Sequence, residues 1–97
     1  MTTPLFKPGR LLATPGALEA LEQAGQNVSE FLSRHLAGDW GVVSADDRAA
    51  NDESLKEGSR LLSAYILKTE VKIWIITEAV DDRGSRAATT VLLPDEY

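Results

Sequence analysis

Cysteine is absent from this sequence, and histidine and methionine each occur once in 97 residues. Without cysteine there is no disulfide framework, no thiolate metal site and no sulfur nucleophile, and one histidine cannot build a multi-histidine metal centre. No metal and no cofactor are expected. Long apolar runs are missing too: nowhere do about eighteen apolar residues follow one another, and the opening "MTTPLFKPGRLL" has no stretch of signal-peptide length. The expected address is therefore cytoplasmic, with no membrane partner. Basic charge is the other shortage. Ten Lys and Arg against fifteen Asp and Glu leave a net charge of −5, which argues against broad attraction to nucleic-acid phosphates.

What is there is an ordinary apolar fraction of 43% and a charged fraction of 26%, enough hydrophobicity to fold as one domain over residues 1–97. No repeat, low-complexity stretch or linker divides it. The negative charge is concentrated in residues 39–58, which hold six acidic and two basic side chains.

Local signals predict the elements. In "TPGALEALEQAG", Thr14 caps a helix, Pro15 takes its first position and Gly25 stops it, with Ala17, Leu18 and Leu21 on one face. A second helix starts at Asn27, which has Glu30 at capping-box distance, and Gly38 ends it. Val28, Phe31, Leu32, His35 and Leu36 form its stripe, so His35 points where the apolar residues point. "SADDRAANDESLKEG" reads as a third, mostly polar helix between Ser44 and Gly58. After Gly58 the period changes, and 60–67, 71–78 and 87–94 read as consecutive strands, with "GRLLA" as a further short edge strand. The expected fold is α+β: two or three N-terminal helices packed on a three- or four-stranded, mostly antiparallel meander. The strand at 71–78 carries apolar bulk on both faces, so the side bearing Trp74 must be covered or must present a partner surface.

The run "IWIITEAVDDRGSRAATTVLLPDEY", with "HLAGDWG", "DRAANDESLKEGSRLLSAY" and "LLATPGALEAL", resembles a family of small bacterial proteins labelled hypothetical or "plasmid-related". The resemblance implies an accessory protein of a mobile element and brings no catalytic residues with it. In that family's pattern an Ala-Asp-Arg run follows Thr-Glu directly. Here "AVDDRGSR" stands in that place, so Arg83 and Arg86 are both candidates for the matching arginine. The order of helices before a meander also looks like the small ribonuclease and toxin folds typified by barnase and the RelE-like toxins, a likeness of architecture alone.

Two functional readings follow. The first is a non-catalytic, regulatory or inhibitory protein that binds a protein partner through the acidic helix (Asp46, Asp47, Asp52, Glu53) or the Trp74 face; self-association stays open. The alternative is a metal-independent ribonuclease in which His35 and Glu78 transfer protons, Arg86 holds phosphate, and nucleic acid is the partner. In that reading Trp40 offers a stacking wall, Asp39 orients His35 and Thr89 or Thr90 adds a hydroxyl; in the structural reading Trp40 plugs the core and His35 packs within it. Asp81 and Asp82 beside the arginines weigh against a phosphate site.

Overall fold

The computed structural model describes residues 4–97. The chain runs β1 (Arg10–Ala13), α1 (Pro15–Ala24), α2 (Val28–Leu36), α3 (Ala45–Glu57), β2 (Leu61–Ile66), β3 (Lys72–Thr77), β4 (Ala88–Leu92) and a closing 3₁₀ turn at Pro94–Glu96. This is the expected α+β arrangement, with the three helices ahead of the meander. The sheet order is β1-β4-β3-β2. β2, β3 and β4 pair antiparallel, whereas β1 joins β4 in parallel, in the register Arg10 with Ala88 and Ala13 with Val91. The sheet is therefore mixed, because β1 has to run in the direction that delivers the chain into α1.

The caps form where the sequence places them. Thr14 Oγ1 accepts from the Ala17 amide, Asn27 Oδ1 from Ser29 and Ser44 Oγ from Asp47, while Gly25 and Gly58 end α1 and α3 in the left-handed conformation. α2 stops a residue early, at Ala37, and Gly38 follows with φ 84°. Asn27 reaches the second amide of its helix rather than the third, so it caps without the reciprocal Glu30 contact.

α1 and α2 cover one face of the sheet. Ala17, Ala20, Leu21 and Phe31 pack there against Tyr65, Ile73, Ile75 and Val91. Leu18 does not join them: it is 50% exposed, since α1 meets the sheet through its narrow alanine edge and leaves the longer side chain outside. The opposite face is thinner. Trp74 is half-buried there and meets Tyr97 edge to face at 5.9 Å, with Arg60 donating to the Tyr97 hydroxyl at 2.6 Å. The chain's own C-terminal turn thus lies over the Trp74 face. Of the two outcomes this strand's pattern allows, cover by the chain itself is met in part: Trp74 stays half-buried and Tyr97 is 71% exposed.

The two sheet edges differ. On β2, the segment at Gly41 bridges to Ala64, with Val42 N donating to Ala64 O at 2.7 Å and Ala64 N donating to Trp40 O at 3.0 Å. A Cβ at Gly41 would sit 1.9 Å from the Ala64 carbonyl oxygen, so only glycine permits this approach. Next to it, Asn51 of α3 accepts from Leu62 N at 3.0 Å and donates to Leu62 O at 2.7 Å. Between them, these contacts close the β2 edge over Leu62 and Ala64. β1 forms the opposite end of the sheet and carries exposed Leu11 and Leu12.

Candidate functional site

His35 is the natural starting point, and it is 0% exposed. α2 aims it at the inward face of the sheet, where three strands each supply a hydroxyl. Ser63 Oγ lies 2.5 Å from Nδ1 and Thr77 Oγ1 lies 2.8 Å from Nε2. Thr77 and Thr89 share a hydrogen bond of 2.7 Å, and Thr89 donates to the carbonyl of Pro8 at 2.8 Å.

Proton counting sets the direction of this chain. A hydroxyl has one hydrogen, and Thr89 places its own on Pro8 O, an acceptor only. Thr77 must therefore donate to Thr89, which obliges His35 Nε2–H to donate to Thr77. Burial, with a smaller effect of the Arg86 charge, holds the His35 pKa down at about 4, so the ring is neutral and bare Nδ1 accepts from Ser63. Phe6 and Trp40 box the ring edge to face at 5.3 and 5.7 Å. His35 is a fully satisfied core residue, closed to a substrate.

The other residues of the ribonuclease reading are differently engaged. Glu78 is exposed beyond the end of β3, and no hydrogen bond or ion pair joins its carboxylate to His35. The Arg86 guanidinium donates to three backbone carbonyls, Ser59 at 2.7 Å, Glu78 at 2.9 Å and Ser54 at 3.2 Å, tying the end of α3 to β2 and β3. Arg83 is exposed in the hairpin loop and lies 3.6 Å from Asp81. Asp39 does not orient His35. Its carboxylate pairs with Arg34 at 2.8 Å, which holds its pKa below the usual carboxylate range, and it also accepts from Gly41 N at 3.3 Å. Trp40, 3% exposed, belongs to the core and offers no stacking wall. His35, Glu78 and Arg86 are thus not assembled into an accessible acid–base site.

α3 is mounted in another way. Its buried residues are Asn51 and Ser54, both polar. Asn51 grips Leu62, Asp52 accepts from Trp40 Nε1 at 3.3 Å, and Ser54 O receives Arg86. Asp46, Asp47, Glu53 and Glu57 are exposed, as is the rest of Asp52. The helix presents five carboxylates against Arg48 and Lys56.

A solvent-open cleft of about 700 Å³ lies beside the end of α3, bounded by the N-terminal segment and the β3–β4 hairpin. Phe6, Leu55 and Val80 supply its apolar lining; Lys7, Lys56 and Arg86 are its cations and Glu57 its carboxylate. Gly58 in its wall has φ 85°, and a Cβ there would stand 2.5 Å from a Val80 methyl, so α3 must end on glycine for Val80 to seat. Sequence reasoning missed this cleft because its walls come from segments some eighty positions apart. It also missed the hydroxyl chain. The available signal was Ser63, Thr77 and Thr89 standing in phase with apolar positions of their strands. Among the described residues no cluster of His, Asp and Glu is placed to hold a metal ion, and no helix is long and apolar enough to cross a membrane. No protein-family model, curated protein or solved structure matches the chain.

Proposed function

We propose that this is a non-catalytic binding protein whose acidic helix α3 docks on a basic surface of a protein partner. The observation that carries the reading is the mounting of α3: hydrogen bonds from Asn51, Asp52 and the Ser54 carbonyl fix it to the body while its charged side chains stay in solvent. A helix held in this way presents a preset pattern of charge, and complementary charge raises association rates and rejects wrong partners. The partly covered Trp74 face and the sealed His35 ring favour α3 as the surface. A place among mobile-element accessory proteins and a cytoplasmic address rest on the sequence alone.

The test is affinity capture from host lysate with the wild-type chain and with a charge-reversed variant, Asp46→Lys/Asp47→Lys/Glu53→Lys. The reading expects a defined partner with a basic surface, bound by the wild type, lost from the variant and weakened at high salt. Equal capture by both chains sinks α3 as the surface. Turnover of RNA that is abolished by Glu78→Gln would reinstate the enzyme reading instead.

A further inference from the structure

We propose that the cleft between the end of α3, the N-terminal segment and the β3–β4 hairpin binds a small organic anion, one bearing a phosphate or carboxylate group on a compact apolar body. The cleft shares Lys56 and Glu57 with the end of α3, but Asp46, Asp47 and Glu53, the residues reversed in the docking test, do not line it, so this inference does not depend on the docking reading.

Size is the first support. A volume of about 700 Å³ falls in the range of small-molecule sites and well above that of a void between packed side chains. Charge is the second. On a chain of net charge −5, the lining brings together Lys7, Lys56 and Arg86 against one carboxylate, Glu57. The ion pairs among the described residues are Arg34 with Asp39 and Arg83 with Asp81, so none of the three cleft cations is neutralised by a carboxylate at contact distance.

Preorganisation is the third. Arg86 is held by three carbonyls, which orient the guanidinium while leaving its full charge in place. Those bonds use three of its five N–H groups: both on Nη1 and one on Nη2. Among the described residues the Nε–H and the second Nη2–H carry no hydrogen bond, which leaves two donors of a planar, charged group for an oxyanion. The Phe6 ring lies 5.7 Å from the Arg86 guanidinium carbon and backs the charge with an apolar surface that Leu55 and Val80 extend. A bare inorganic ion would leave that wall unused. An anion with an apolar body would cover it.

The experiment is a titration of the full ¹⁵N-labelled chain followed by amide shifts, using phenyl phosphate, benzoate, inorganic phosphate and phenol as probes. Saturable shifts are expected at Gly58, Gly84 and Ser85 with phenyl phosphate or benzoate, and whichever of these binds more tightly identifies the oxyanion. Phenol and inorganic phosphate are expected to bind at least about tenfold more weakly, each lacking one half of the recognition. Lys7→Ala/Lys56→Ala changes two exposed side chains, so the dispersed spectrum is retained and affinity falls about tenfold, with a weaker salt dependence than wild type. The absence of saturable shifts at these amides with both aromatic anions would overturn the proposal. So would phenol or inorganic phosphate binding as tightly as they do, or an unchanged affinity in the double variant.

Discussion

α1 and α2 are held to the sheet mainly by apolar contact, with the His35 ring as a hydrogen-bonded anchor; α3 is held by hydrogen bonds. The first pair buries Ala17, Leu21, Phe31 and His35; the third helix buries Asn51 and Ser54 and is gripped through Asn51, Asp52 and Arg86. The difference matters because apolar burial is non-directional and tolerates small shifts, whereas a hydrogen bond specifies position but contributes only about 0.5–1.5 kcal/mol net. The α1–α2 side therefore carries stability. The α3 side carries placement.

Breaking the apolar side should have the largest effect. Phe31→Ala, at a fully buried position, is expected to cost about 3–5 kcal/mol in urea unfolding. Acid should act on the same side through His35. Its pKa is about 4 in the fold against 6.5 when free, so between those values the unfolded chain binds the extra proton. Stability from the neutral ring is complete above about pH 6.5 and is lost as pH falls towards 4, by roughly 3 kcal/mol. The check is the His35 ring shift by NMR, which should stay flat from pH 8 to about 5; titration near 6.5 would contradict the sealed site.

On the α3 side the effects should be smaller and local. Asn51→Ala strips both partners from Leu62 and is expected to cost about 1–3 kcal/mol. Hydrogen exchange should then quicken along Ala45–Glu57 while α1 and α2 stay protected; uniform loss across all three helices would erase the distinction. Ser44→Ala, which removes the cap on the Asp47 amide, should cost about 1 kcal/mol. Asp46→Asn with Glu53→Gln, both exposed, should shift stability by less than about 0.5 kcal/mol while changing any binding through α3.

Most of the fold was legible because the signals were local. Thr14 with Pro15, Asn27, Ser44, Gly25 and Gly58 mark the helix ends directly, and the change to β-branched runs after Gly58 marks the meander. The parallel placement of β1 was not legible, since no local pattern states which distant strand a four-residue segment will join. Leu18 misled because spacing assigns a face but not how much of the face is used. His35 stood on a readable apolar stripe, but its partners Ser63 and Thr77, and Thr89 beyond Thr77, come from three separate strands, and only tertiary pairing brings their hydroxyls into line. The cleft cations, Lys7, Lys56 and Arg86, are separated in the same way.

The seam between β1 and β4 also bears on the order of events in folding. Arg10 pairs with Ala88, and Thr14, which caps α1, donates to Glu96 at 2.5 Å across a separation of 82 positions. The sheet's first strand in chain order is thus among the last that can be seated, since its template, β4, follows it by 78 positions. Helices and the β2–β3 hairpin can form from neighbours, but this closure must wait for a long loop to collapse, which slows the final step. A nascent chain stalled before β4 would hold Leu11 and Leu12 without their strand partner and Thr14 without Glu96. Completion of the sheet is in effect a check that the last strand has been made.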